Sequence, residues 1–265
     1  VIAPSLGAVV LLKASWHWIF AVLVVLAGAL LLLAALALPE TLPVSHRRPL
    51  HVRSIVTTYG ALLRDFRFMT LVLVAALSMA GLFGYIAAAP FVLQGDYGLN
   101  QQSFALVFAA GAIILIGATQ SNVVLLRRFS PQAIMRVALV VSVVAAIAFV
   151  ALAVTGVAGL AGFLAPVLVI LGGMGLVLPN APAVALSRHH EASGTAAALL
   201  GAAQFGVGAV TAPVVGMLGN NEFALASVML VGSAVALAAM VFVGGPSHAE
   251  GDAVEVLGDP LPEPA

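Results

Sequence analysis

Seven apolar stretches, each long enough to cross a lipid bilayer, follow one another along the chain with scarcely a charge inside any of them. They run over Ile19–Leu38, Phe68–Leu93, Phe104–Leu126, Ala133–Val154, Ala158–Leu186, Thr195–Leu218 and Phe223–Val243. A crossing takes about 20 apolar residues. Hydrocarbon offers the backbone no hydrogen-bond partner, so each stretch must satisfy its own amides as a helix. Strand alternation is absent, which removes a β-barrel. The fold class is an all-α membrane protein.

Composition narrows the chemistry. Only 8% of the 265 residues are charged, against about 25% in a soluble domain. There is no cysteine, which excludes disulfides and thiolate metal sites. Net charge is zero, and a nucleic-acid partner would need a basic face. No Gly-Lys-Ser/Thr phosphate loop is present, so ATP does not drive this chain directly. His189-His190-Glu191 has no second histidine at zinc-protease spacing, since position 194 is glycine; with Arg188 it reads as a turn, and no metal site is expected. An intramembrane enzyme would need a nucleophile–base pair or clustered carboxylates. The spans contain neither His nor Asp, so the chain is not expected to be an enzyme.

The basic residues set an orientation. Arg47, Arg48, Arg53, Arg64 and Arg67 lie between the first and second spans; Arg127, Arg128, Arg136 and Arg188 mark later turns on the same side. Lys13 alone lies opposite. Cytoplasmic loops carry the excess of Lys and Arg, so the arginine side is expected to be cytoplasmic. The opposite connections, Lys13–Trp18, Gln94–Asn100, Thr155–Val157 and Gly219–Glu222, are short. Trp16 and Trp18 sit at a span end, where aromatic belts form.

Four regions follow: 1–38, a partial helix and one complete helix; 39–67, a cytoplasmic loop with an amphipathic stretch near Ile55–Phe66; 68–244, a six-helix bundle; and 245–265, an acidic, Pro/Gly-rich tail expected to be disordered. The run Val1–Leu12 is too short to span, and the expectation is that the sequence is the C-terminal part of a longer protein.

Several segments carry a family likeness. Trp16-His17-Trp18-Ile19-Phe20 opens the first span and Pro39-Glu40-Thr41-Leu42 closes it. Tyr85-Ile86-Ala87-Ala88-Ala89-Pro90-Phe91-Val92-Leu93 is followed by Tyr97-Gly98-Leu99 and the Phe104/Phe108 pair. Pro179-Asn180-Ala181 precedes Ala192-Ser193-Gly194-Thr195 and the run through Gly201, then Gln204-Phe205. In this order they resemble the Bcr/CflA-type drug-resistance transporters of the major facilitator superfamily. Ala3-Pro4-Ser5-Leu6-Gly7 resembles the end of that family's antiporter motif on helix five.

The resemblance implies two pseudo-symmetric six-helix halves, alternating access, and proton-driven export of small amphipathic molecules. It maps the chain onto the end of helix five, helix six and helices seven to twelve. The implied partners are the lipid bilayer, an amphipathic substrate and the family's N-terminal helices. No cofactor is implied beyond the proton gradient, and the implied membrane is the bacterial inner membrane. The loop after Leu126 keeps Arg127 and Arg128 but has no Asp, and the family's coupling carboxylates belong mainly to the first helix. A sugar or metabolite permease of the same superfamily, or a truncated protein that does not transport, stays open.

A charge at mid-membrane costs about 2.5–3.5 kcal/mol on insertion scales, and the span interiors hold none. Neutral polar and aromatic groups are the candidate substrate contacts. Ser78, Leu82, Tyr85 and Ala89 share one helical face; Tyr85 offers a flat ring with one hydroxyl, and either lines a cavity or joins two helices. Gln204, with Phe205 beside it, is a mid-span amide that meets substrate or a neighbouring helix. Asn180, between Pro179 and Pro182, repairs a broken turn or serves a cytoplasmic gate together with Arg127 and Arg128. Gln120 and Asn122, close to the cytoplasmic end of their span, read as a solvated helix end, with a gate role as the alternative. Gly194, Ala198, Ala202 and Gly206 form one small-residue stripe and Gly208, Ala212 and Gly216 another; these, with Gly201, are expected to let helices approach closely. Pro90, Pro166 and Pro213 mark expected bends.

Overall fold

The structure, a computed structural model, describes residues 15, 17–37 and 52–243. The expectations for Val1–Leu12, Lys13, Trp16, the 39–51 portion of the loop with Arg47 and Arg48, and the acidic tail fall outside the described residues. The chain divides into two units, Val1–Ile55 and Val56–Ala265. The described part of the first is chiefly α1 (His17–Ala37), a single apolar helix with no buried residue of its own.

A second helix, α2 (Val52–Arg64), crosses the boundary between the units. It is amphipathic, as the stretch near Ile55–Phe66 predicts, and Leu62 is its buried anchor in the second unit. Six long helices follow: α3 (Phe66–Pro90), α4 (Gln101–Leu125), α5 (Pro131–Thr155), α6 (Gly159–Ser187), α7 (Ser193–Met217) and α8 (Glu222–Val243). Seven helices, α1 and these six, are long and apolar enough to cross a membrane. Twenty-five residues rise about 38 Å, enough for a hydrocarbon core of about 30 Å.

Local chemistry sets the ends. Asp65 accepts hydrogen bonds from the Arg67 and Phe68 amides at 2.9 and 3.1 Å and starts α3. Asn100 caps α4 through the Ser103 amide at 2.8 Å. Ser130 caps α5 just before Pro131, whose missing N–H costs nothing at that position. Gly156, with φ of 64°, stops α5 in the left-handed region that a β-carbon disfavours.

The second span runs further than the apolar run alone. Pro90 supplies no N–H, and the chain widens there into a π-helical segment, Phe91–Asp96. Its signature is the Tyr97 amide bonding five residues back, to Val92, at 3.0 Å. The helices run on without interruption through Pro166, Pro179, Pro182 and Pro213.

In the bundle α3 packs against α6, α7 and α8; α5 packs against α6 and α8; and α4 rests on α6. Two apolar clusters stack along the bundle. One holds Phe68, Val72, Met135, Val177 and Ala185 near the arginine side. The other holds Tyr85, Phe149, Phe163, Leu171 and Leu225 toward the opposite side. Helices α4 and α7 show most of their surface outside the bundle.

Candidate functional site

Residues 83 and 85 of α3 point to opposite faces, because two steps of a helix turn about 200°. Tyr85 faces α4. It is buried, its ring stacks on Phe108 with centroids 5.4 Å apart and planes 10° from parallel, and Phe104 adjoins Phe108 at 5.7 Å. Its hydroxyl lies against Gly111, where a β-carbon would come within 3.1 Å of the oxygen. Tyr85 therefore joins α3 to α4 as an aromatic stack. Ser78 lies deeper inside the bundle, its hydroxyl donating to the Val74 carbonyl at 2.9 Å.

Phe83 faces α7. Its ring occupies the space a β-carbon would need at Gly208, and it meets Phe205 edge-on at 6.3 Å. Gln204 lies one turn before Gly208 on the same buried face as Leu200 and Thr211. It is only 9% exposed, and its amide makes no hydrogen bond to another described residue. Phe205 is 62% exposed beside it. Gln204 and Phe205 thus group with Phe83, a residue the sequence pattern did not single out, while Tyr85 and Ser78 face elsewhere.

The small-residue stripe of Gly194, Ala198, Ala202 and Gly206 is turned outward. A β-carbon at Gly194, Gly201 or Gly206 would meet nothing within 4 Å, so these positions do not hold the bundle together among the described residues. Gly216 is exposed as well. Close approaches fall instead at Gly208, at Gly81 and Gly173, and at Gly175 of α6, where a β-carbon would run into the Leu115 carbonyl of α4.

That contact sits beside a polar clasp on the arginine side. Pro179 lacks the amide that would bond the Gly175 carbonyl four residues back. Thr119 of α4 shares its hydroxyl proton between that carbonyl, at 2.9 Å, and its own Leu115 carbonyl, at 3.0 Å. One turn on, Asn122 and Asn180 exchange amide hydrogen bonds at 2.7 and 3.3 Å, and Asn180 also donates to the Leu176 carbonyl at 2.8 Å. Asn180 bonds Leu176 and not the Gly175 or Leu178 carbonyls that Pro179 and Pro182 free, so its side chain chiefly ties α6 to Asn122 of α4. Asn122 departs from the solvated helix end expected of it: it is 5% exposed because its partner is Asn180. Gln120 is exposed, and Arg127 and Arg128 are exposed in the turn after α4. Pro179 shows in sequence that a carbonyl four residues earlier is free; nothing local names Thr119 as its donor.

A second link closes the same side. His189, in the turn after α6, donates Nε2–H to Asp65 at 3.0 Å, and its ring stands edge-on to Phe68 at 5.1 Å. Burial by itself would raise the Asp65 carboxyl, but the Phe68 and Arg67 amides and His189 outweigh it and hold the group below its ordinary value. At the opposite end burial, and then the neighbouring Glu222 carboxylate at the start of α8, push the Tyr97 phenol up. Among the described residues no group of three His, Asp or Glu could hold a metal ion.

The Major Facilitator Superfamily profile matches residues 1–213. The chain is 30% identical over 236 residues to an uncharacterized MFS-type transporter, YdgK, of Bacillus subtilis, covering 87% of this chain and 58% of that protein. It is 24% identical to the bicyclomycin resistance protein homolog of Haemophilus influenzae, covering 91% of this chain and 60% of the relative. It is also 24% identical to the multidrug resistance protein MdtL of Vibrio parahaemolyticus, covering 94% and 62%. The chain therefore spans about three fifths of the length of these curated relatives. A bundle of apolar membrane-length helices, matched by the profile over most of its length, makes the chain a member of the major facilitator superfamily, with similarity to relatives named for drug resistance.

Proposed function

We propose that the chain works in a secondary active exporter of small amphipathic drugs, driven by the proton gradient and operating by alternating access. The names of the drug-resistance relatives support the substrate class. The observation that carries the reading is Gln204. Gln204 lies at mid-depth in α7 and is 9% exposed; its amide keeps access to the surface, makes no hydrogen bond to a described residue, and sits next to the exposed ring of Phe205 and the edge-on Phe83. An amide left unbonded in hydrocarbon is costly, so it is a group waiting for a guest. One hydrogen bond flanked by aromatic edges suits a weakly polar or cationic aromatic molecule.

In this reading the Tyr85–Phe108 stack holds α3 to α4 on the far side of α3 from the cavity, and Ser78 lies inside the bundle. The arginine-rich turns, with Arg127 and Arg128, face the cytoplasm of a bacterial inner membrane, and Asn180 steadies the cytoplasmic end. The working unit pairs this bundle with the further helices that account for the relatives' extra length.

Drug tolerance of cells expressing the whole transporter tests the assignment. Gln204→Ala and Phe205→Ala should each change which compounds are tolerated at unchanged membrane abundance. Unaltered profiles for both would show the site to be wrong. Collapse of the proton gradient by a protonophore should stop efflux; efflux that persists would remove the proton coupling and leave the site untouched.

A further inference from the structure

Four helices leave a small cavity at the centre of the bundle, between its two apolar clusters. It is lined by Ser78 and Gly81 of α3, Ser142 of α5, Met174 of α6, and Met229 and Ser233 of α8, with leucine and isoleucine side chains completing the wall. Twelve residues separate Phe66 from Ser78, so the cavity lies about 18 Å along α3, near mid-membrane. About 20 Å³ is open to the centre of a water-sized sphere. A single water needs roughly 10–15 Å³ by that measure.

The hydroxyls in this cavity are unevenly satisfied. Ser78 donates to the Val74 carbonyl at 2.9 Å, and Ser233 to the Met229 carbonyl at 2.7 Å. Both spend their proton on their own helix and keep oxygen lone pairs free. Ser142 makes no hydrogen bond to any described residue, although it is only 4% exposed. Its hydroxyl fills the space where a β-carbon of Gly173 would lie. The cavity therefore presents one free O–H donor and acceptors on three serines.

We propose that this cavity is a built hydration site, holding one or two water molecules inside the bundle. A water there accepts from Ser142 and donates to the oxygens of Ser78 and Ser233. Three bonds are what a buried water usually makes, and they satisfy the hydroxyl of Ser142, which among the cavity's serines makes no bond to a described residue. The site ties α3, α5 and α8 together by exchangeable bonds at a depth where packing otherwise does all the holding. It is separate from Gln204 and stands whether or not the chain exports drugs.

Met229 reports on the site. X-ray radiolysis splits water where it lies, and the hydroxyl radical converts a neighbouring thioether to the sulfoxide, read by mass spectrometry. Met229 is 1% exposed and lines the cavity; Met135 is 0% exposed and does not. In the whole chain held in lipid nanodiscs, Met229 should be oxidised several-fold faster than Met135 and also faster than Met240, which is 4% exposed and does not line the cavity. Equal rates would mean a dry cavity and overturn the proposal. Added peroxide without irradiation should leave Met229 as slow as Met135; fast oxidation would reveal an open channel instead of held water, and would also overturn it. Ser142→Val should return Met229 to the Met135 rate, and an unchanged rate in a folded variant would remove Ser142 as the anchor. Should that variant not fold, the comparison within the native chain decides.

Discussion

Gln204 and Asn180 are both amides deep in apolar helices, and their surroundings set them opposite tasks. Asn180 has its bonds made, to Asn122 and to the Leu176 carbonyl. Asn180→Leu would strand the Asn122 amide, and hydrogen bonds between membrane helices are worth about 0.6–2 kcal/mol. A loss of that order is expected in detergent-micelle unfolding. Gln204→Leu breaks no bond to a described residue and should leave stability nearly unchanged while altering drug selection. A large stability loss at Gln204 would instead make it a structural amide. Asp65 gives a residue-level pH effect. Its folded carboxyl sits below the ordinary value of 3.8, so its contribution is whole above that value and is lost as pH falls through the lower folded value. Asp65→Ala should cost about 0.5–2 kcal/mol through the lost cap and flatten the acid limb of a stability–pH curve below that ordinary value. An acid limb identical to that of the native chain would remove Asp65 from the account.

At the scale of elements, the clasp between α4 and α6 follows from a defect and its remedy. Pro179 frees the Gly175 carbonyl, Thr119 serves it, and the absence of a side chain at Gly175 lets α4 come near enough to do so. Thr119→Val should cost about 1–3 kcal/mol, the penalty for an unsatisfied buried carbonyl. In a Pro179→Ala background the restored amide bonds that carbonyl from within α6, so the same change should cost markedly less. A double-mutant cycle measures the difference; additive costs would mean that Thr119 does not act on the freed carbonyl. The same example shows what the sequence could and could not say. Helix positions were legible because burial in lipid leaves long apolar runs with polar caps, and Asp65, Asn100 and Ser130 stand where caps belong. Helix partners were not legible. The small residues at Gly194 and Gly206 look like contact positions and face outward, whereas Gly175 and Gly208, no different in local pattern, meet α4 and Phe83. A four-residue spacing names a face of a helix, and only the three-dimensional arrangement says what that face meets.

At the scale of the molecule, the charge pattern and the helix count make a joint statement about topology. Each helix from α3 to α8 crosses once, so successive turns must alternate between the two faces of the membrane. The turns holding Arg127, Arg128 and Arg188 are then on one face, and those holding Val157 and Asn221 on the other. In the proposed orientation the first group faces the cytoplasm, as the positive-inside rule expects. The chain has no cysteine of its own, so single introduced thiols are clean reporters. Val157 is 82% exposed and Met217 is 87% exposed at ends opposite the arginine side; Arg128 and Glu191 are exposed on it. In right-side-out vesicles a membrane-impermeant thiol reagent should modify Val157→Cys and Met217→Cys and spare Arg128→Cys and Glu191→Cys. Inverted vesicles should reverse the pattern. Inversion of all four together would keep the bundle and turn the protein over in the membrane. Labelling of Val157→Cys and Arg128→Cys from the same face would mean that α5 does not cross, and neither the six-helix bundle nor an alternating-access carrier built on it could then stand.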